Sequence, residues 1–198
     1  MTDLVLASGS RVRATLMENA GLSFTIDPAK VDERAVEEPL LAQNVEPQEI
    51  ARVLAQAKAI ETSTRNPGKM VVGADQILAF EGTRLTKPEN MAAARAQLES
   101  FSGKAHALHA GVCVAFDGHV LWETVSTANL HVRTLSPEFL DWYMETAGSD
   151  ILSSVGAYQL ESVGIQLFQR IEGDYFTILG LPMLPLLDFL RKSGTLIK

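Results

Sequence analysis

The chain has 198 residues, enough for one compact domain or two lobes, with 46 % hydrophobic and 21 % charged residues. That balance excludes a disordered chain. The net charge of -7 argues against nucleic-acid binding through a broad basic surface, although a few Lys and Arg side chains converging on one site can still hold a polyanion.

The opening MTDLVLASGS lacks a basic leader region, and its apolar run stops after four residues, so no secretory signal is expected. No apolar stretch approaches the ~20 residues of a membrane span. The expected compartment is the cytoplasm, with no membrane partner. Leu4–Ala7 reads as a buried strand, Ser8-Gly9-Ser10 as a turn, and the following residues as a helix with Val12, Leu16, Met17 and Ala20 on one face. Ser23–Asp27 reads as a second strand. Residues 28–46 are acidic and carry Pro28 and Pro39, which predicts a surface loop. From Pro47 to about Thr64 the stripe Ile50, Val53, Leu54, Ala57 and Ile60 predicts a helix, with Pro47 at a first helical position. Met70–Ala74 is a predicted strand, and Ile77–Phe80 continues extended to a turn at Glu81-Gly82.

An Ala-rich helix is expected over about Glu89–Phe101. Two strands, Ala105–Phe116 and His119–Val132, follow around the hairpin pair Asp117-Gly118. Ser136-Pro137-Glu138 opens a helix ending near Gly148. Ile165–Ile171 and Tyr175–Leu179 read as strands, and Pro182 starts a last helix closed by Gly194. Helices and strands mix throughout without a fixed repeat, so the fold class is α/β, or mixed α+β, with a mixed sheet. The single cysteine, Cys113, lies in the apolar run GVCVAF and reads as core; no CxxC or Cys/His cluster suggests zinc.

Four segments carry candidate chemistry. In LASGSRVR, residues 6–13, a turn rich in small residues opens a helix whose N-terminal amides suit phosphate, with Ser8, Ser10, Arg11 and Arg13 as added donors; equally, Ser10 caps the helix and the arginines are solvated. The segment lacks the GxxxxGK[ST] of a P-loop. In VVGADQ, residues 71–76, Asp75 follows a buried strand, where a carboxylate can hold a metal or accept a proton from water; taken alone, a turn aspartate is the better reading. Glu33, Lys58 and Lys87 gain meaning only if they meet in one site, since such lysines are usually solvated. The glycine-rich GAYQLESVG, residues 156–164, offers Glu161 as a reader of hydrogen-bond donors on a base, with IEGDY and GLP after it.

Together these segments resemble the Maf family of nucleoside triphosphate pyrophosphatases along nearly the whole chain. The matches in order are LASGSRVR, the VDE of residues 31–33, the LAQAKA of residues 54–59, VGADQ, the KP of residues 87–88, the LESFSGKAH of residues 98–106, GAYQLESVG, IEGDY and GLP. The resemblance implies one domain over residues 1–198, with an elongated α/β fold and a cleft between two lobes similar to inosine triphosphatase. It implies a divalent metal, Mg2+ or Mn2+, a homodimer, and hydrolysis of a nucleoside triphosphate to the monophosphate and pyrophosphate. On this chain the family's proton acceptor falls on Asp75, its phosphate-binding positions on Ser8, Ser10 and Arg13, and its acidic and lysine positions on Glu33, Lys58 and Lys87. Glu33 and Asp75 are the implied metal ligands.

Gln76 and Glu161 resemble the branch acting on 7-methyl-GTP, whereas the dTTP/UTP branch usually has Thr and Gln there. Val12 stands where the first branch typically carries Trp. A 7-methyl-GTP-like substrate is therefore expected ahead of dTTP or UTP. The rival readings are a nucleotidyl- or sugar-phosphate transferase and a non-catalytic nucleotide-binding regulator of septum formation.

Overall fold

The computed structural model describes residues 3–197. Met1, Thr2 and Lys198, the ends of the domain expected over residues 1–198, lie outside the described residues. In chain order the elements are β1 (Leu4–Leu6), α1 (Arg11–Asn19), β2 (Phe24–Ile26), α2 (Glu33–Ala42), α3 (Pro47–Arg65), β3 (Met70–Phe80) and β4 (Thr83–Leu85). Then come α4 (Met91–Phe101), β5 (Ala105–Phe116), β6 (His119–Val132), α5 (Pro137–Ala147), β7 (Phe168–Glu172), α6 (Tyr175–Ile178) and α7 (Met183–Lys192). Short 3-10 turns occupy Gly148–Ser153 and Val163–Leu167. The class is mixed α/β. The sheet is mixed as well: β1 runs parallel to β2 and β3, whereas β3–β4 and β6–β7 are antiparallel. No helix among the described residues is long and apolar enough to cross a membrane.

The chain forms two compact units. The first holds the chain through Gln76, His109–Thr127 and the chain from Tyr175; the second holds Ile77–Leu108 and Ala128–Asp174. In the first unit β1 pairs in register with β3 from Leu4↔Met70 to Leu6↔Val72. One face of this sheet carries Leu4, Leu6, Val72 and Ala74 into a core shared with Met17 of α1 and Leu186 of α7. The other face receives α3. Ala51, Ala55 and Ala59, spaced four apart on one row of that helix, are fully buried. They meet glycines in the strands: a Cβ on Gly73 would lie 2.4 Å from the Ala55 carbonyl oxygen, and one on Gly111 would lie 2.4 Å from that of Ala51. Backbone-to-backbone approach this close is open only to glycine. Cys113 packs with Ala55, Ala59 and Ala115, and burial pushes its thiol up to about 12, as befits a core residue.

The second unit is organised by an aromatic cluster. Phe80 meets Phe101 edge-on at 4.9 Å between centroids, Phe101 stacks on His106 at 4.6 Å, and Tyr158 meets Phe168 at 4.9 Å. His106 is buried, with Nε2 2.7 Å from the Tyr158 hydroxyl, and burial lowers its pKa to about 4. From α5, Tyr143 donates its hydroxyl to the Ala157 carbonyl at 3.1 Å.

Several sequence expectations need correction. The loop expected over residues 28–46 contains α2. Its N-cap, Asp32, accepts a hydrogen bond from the Ala35 amide at 3.1 Å, and Pro39 lies inside the helix. Proline normally argues against a helix interior because it lacks an N–H and crowds the preceding turn; here it sits in a short, mostly exposed helix whose start is fixed by the Asp32 cap. The runs Met70–Ala74 and Ile77–Phe80 are one continuous strand, so Asp75 lies inside β3 rather than beyond its end. Tyr175–Leu179, expected extended, forms the helical turn α6. Only the second half of the strand expected at Ile165–Ile171 is extended, from Phe168. The short strand β4, paired from Leu78↔Leu85 to Phe80↔Thr83, was not expected. The hairpin at Asp117-Gly118 is present, with φ of 47° and 79°, as a two-residue turn with both residues left-handed requires.

Gly73→Ala forces a methyl group into the α3 backbone and should cost roughly 2–3 kcal/mol in urea unfolding. His106 gives a second expectation. Held neutral by burial, it stabilises the fold fully above pH 6.5, its ordinary value, and loses that contribution as pH falls toward about 4. Stability should drop by about 3 kcal/mol across that window from this residue, and His106→Gln should remove this part of the slope.

Candidate active site

Alternation along β3 sends successive side chains to opposite faces. Gly73 faces α3, and so does Asp75 two residues on; Ala74 and Gln76 face the other way. On α3, Lys58 shares a row with Leu54 and Thr62, all three buried. Lys58 Nζ donates to Asp75 Oδ1 at 2.5 Å and lies 2.8 Å from Glu33 Oε1. Lys58 and Asp75 are only 9 % and 8 % exposed, whereas the Glu33 side chain, on the first turn of α2, is half open to solvent. Two carboxylates thus share one ammonium, which satisfies a buried charge that would otherwise be costly.

The turn after β1 is built around hydroxyls. Ser10 caps α1 and accepts from the Arg13 amide at 3.4 Å. Ser8, buried, accepts from the Ser10 amide at 3.3 Å and from Arg13 Nη1 at 3.2 Å. Arg13 also donates from Nη1 to the Ala74 carbonyl and from Nε to the Gly180 carbonyl, each at 2.8 Å. Burial pushes its guanidinium below the usual value, and the charges of Asp75 and Glu33 oppose that shift. Gln76 donates Nε2 to the carbonyls of Thr177 and Ile178, both at 3.0 Å. Val12 is half-buried beside Arg13, and Arg11 is exposed.

The first unit therefore gathers Ser8, Ser10, Val12, Arg13, Glu33, Lys58, Asp75 and Gln76. Lys87 and Glu161 belong to the second unit; both are exposed, Lys87 just before Pro88 and Glu161 just before the 3-10 turn at Val163–Leu167. Sequence reasoning missed the backbone acceptors of the first unit, the carbonyls of Ala74, Thr177, Ile178 and Gly180. Carbonyls have no residue-type signature. The one available signal was Gly180 in GLP, whose φ of 86° marks a turn that other residues resist.

Among the described residues no group of three or more His, Cys, Asp or Glu side chains could hold a metal ion. Glu33 and Asp75 are a pair of hard oxygen donors, held near one another by their common hold on Lys58. Oxygen donors of this kind suit a hard ion such as Mg2+ or Mn2+, completed by water and phosphate oxygens.

Hydroxyls at a helix N-terminus and a lysine held by two carboxylates, gathered in one unit of a mixed α/β protein, are groups that suit phosphate esters. The chain belongs to the Maf-like protein family, whose model matches residues 3–193. It is 51 % identical over 190 residues to the 7-methyl-GTP pyrophosphatase of Brucella suis biovar 1 (strain 1330), covering 96 % of each chain. It is 51 % identical over 193 residues to the protein of that name in Rhizobium johnstonii, covering 98 % of this chain and 97 % of the relative. The nucleoside triphosphate pyrophosphatase of Paramagnetospirillum magneticum is 47 % identical over 193 residues, covering 98 % of this chain and all of the relative.

The Lys58–Asp75 contact should register as coupling. Lys58→Gln and Asp75→Asn made together should cost less than the two changes summed, by ~1–3 kcal/mol. Equilibrium unfolding of the four proteins measures this, and additive effects would show that the pair contributes nothing.

Proposed function

We propose that this chain hydrolyses nucleoside triphosphates to the monophosphate and pyrophosphate, with a 7-methyl-GTP-like nucleotide preferred to dTTP or UTP. The observation that carries the reading is the cluster of Asp75, Lys58 and Glu33 in one unit with the Ser8–Arg13 turn. Two relatives of about half identity over nearly the whole chain are named for 7-methyl-GTP, and a third for nucleoside triphosphates, which supports both the reaction and the preference.

The triphosphate carries roughly four negative charges, which repel an incoming nucleophile. Free amides at the start of α1, the hydroxyls of Ser8 and Ser10, and the ammonium group of Lys58 offset that charge; the family resemblance implies Lys87 as a further cation. Glu33 and Asp75 would hold a Mg2+ or Mn2+ ion, whose chemistry when bound is to neutralise phosphate charge and lower the pKa of water. Lys58 engages Oδ1 of Asp75, so Oδ2 accepts the proton of the attacking water. The water oxygen bonds to the α-phosphorus, the bond from that phosphorus to the α–β bridging oxygen breaks, and the electron pair leaves with pyrophosphate. The family resemblance assigns base choice to Val12, Gln76 and Glu161. Gln76 has already spent its amide hydrogens on backbone carbonyls, so only its oxygen is left to meet a ligand. With this activity goes a cytoplasmic setting, where nucleoside triphosphates are found, and a homodimer, as the family resemblance implies.

The test is a hydrolysis screen with Mg2+ over 7-methyl-GTP, GTP, dTTP and UTP, with products separated by chromatography. Pyrophosphate with the monophosphate is expected, fastest from 7-methyl-GTP. Release of orthophosphate, or transfer to an added acceptor in preference to water, would overturn the reaction; faster turnover of dTTP or UTP would overturn the preference. Asp75→Asn should lower kcat by at least ~10²-fold, the scale of a lost general base, with nucleotide binding largely kept. Undiminished turnover in that variant excludes Asp75 as the proton acceptor.

A further inference from the structure

We propose that Arg13 is a positioning residue for Asp75, and that it does not serve as a ligand of the substrate's phosphates. The proposal rests on the hydrolysis proposed above and concerns how its proton acceptor is aimed.

An arginine has five N–H donors in a fixed planar fork. Arg13 commits three of them inside the protein, to Ser8 Oγ, the Ala74 carbonyl and the Gly180 carbonyl. These acceptors lie on three segments distant in sequence: the turn after β1, the middle of β3 and the turn after α6. Nη2 packs beside Gly180: a Cβ placed there would lie 3.2 Å from it. Reaching a phosphate would require the guanidinium to leave backbone carbonyls in a largely desolvated place. A carbonyl stranded without its donor is the unfavourable half of any such exchange.

The Ala74 carbonyl and the Asp75 nitrogen belong to one peptide plane. Holding that carbonyl fixes the plane from which the Asp75 side chain projects. On the other side of Asp75, Gln76 is held by the carbonyls of Thr177 and Ile178. Both neighbours of Asp75 are therefore tied to the 177–180 segment, one through Arg13 and one directly. The strand pleat then leaves Asp75 on the opposite face, against Lys58. The arrangement is a clamp: residues 74 and 76 are pinned to one side so that residue 75 cannot roll. The Arg13 charge also acts on the Asp75 and Glu33 carboxylates through space, without a hydrogen bond to either.

Charge and fork geometry separate the two roles. Lysine keeps the charge and still binds phosphate as a point cation, but it cannot span three carbonyl and hydroxyl acceptors in one plane. If Arg13 positions Asp75, Arg13→Lys loses kcat at least ~10-fold, nearly as much as Arg13→Gln, and both bind a non-hydrolysable α,β-methylene GTP analogue within about threefold of the wild type. Amide hydrogen exchange at residues 74–76 and 179–181 rises in the lysine variant. If Arg13 is a phosphate ligand, Arg13→Lys retains most of kcat and Arg13→Gln loses analogue affinity, and the proposal fails.

The wild-type protein supplies a measurement free of folding effects. The Arg13 Nε–H resonance in 15N spectra should be slow to exchange with solvent and unmoved by saturating analogue. A large shift on binding, or rapid exchange before it, overturns the proposal. A wild-type protein that hydrolyses no triphosphate sinks the proposed function instead, and leaves the exchange data to decide whether Arg13 braces Asp75.

Discussion

The contact on which the site depends is the seating of α3 directly on the sheet. At Gly73 and Gly111 no side chain separates helix from strand, and the buried row Ala51, Ala55 and Ala59 keeps the helix surface equally thin. A helix resting on larger residues would stand further from β3. Lys58 would then have to reach across packed side chains, and its ammonium would meet Asp75 only through an extended, entropically costly conformation. The contact at 2.5 Å follows from small residues placed opposite one another on two elements. The geometry of the charged cluster and the packing of the core are here one constraint.

The same strand divides its duties by face. One set of β3 side chains, Val72 and Ala74, lies in the core shared with α1 and α7, and Gln76 continues that face toward α6. The other set, Gly73 and Asp75, meets α3. Because Asp75 lies inside a hydrogen-bonded strand rather than on a loop, its backbone is held from both ends. The flanking residues are gripped again, residue 74 at its carbonyl by Arg13 and residue 76 at its side chain by the carbonyls of Thr177 and Ile178. Such redundancy fixes the direction in which the Asp75 carboxylate projects.

Much of the fold was legible because its patterns are local. The periodicity of α3, the hairpin at Asp117-Gly118 and the cap at Ser136 each depend on residues within a few positions of one another. The errors arose where a local rule was overruled. Pro28 and Pro39 suggested a loop, but Asp32 nucleates α2 through a cap that the acidic context obscured. Tyr175–Ile178 is rich in residues that favour strands, yet it closes into a helical turn. Within the site, Asp75, Lys58 and Glu33 could be named because their residue types carry chemistry. Their meeting could not be read from α3 and β3 separately. Nor could the partners of Arg13: carbonyl groups occur at every position, and only the folded chain selects which of them turn inward.

The three members of the charged cluster differ in their access to water, and this sets how the surroundings can influence them. Asp75 and Lys58 are enclosed, so their attraction is transmitted through protein and is little affected by dissolved ions. Glu33 is half in solvent, and its hold on the same ammonium is screened as ionic strength rises. Rising salt therefore loosens Lys58 on its outer side only. The site is polarised in its sensitivity: one carboxylate is insulated from the medium, while the other exchanges its partner with whatever ions the medium contains.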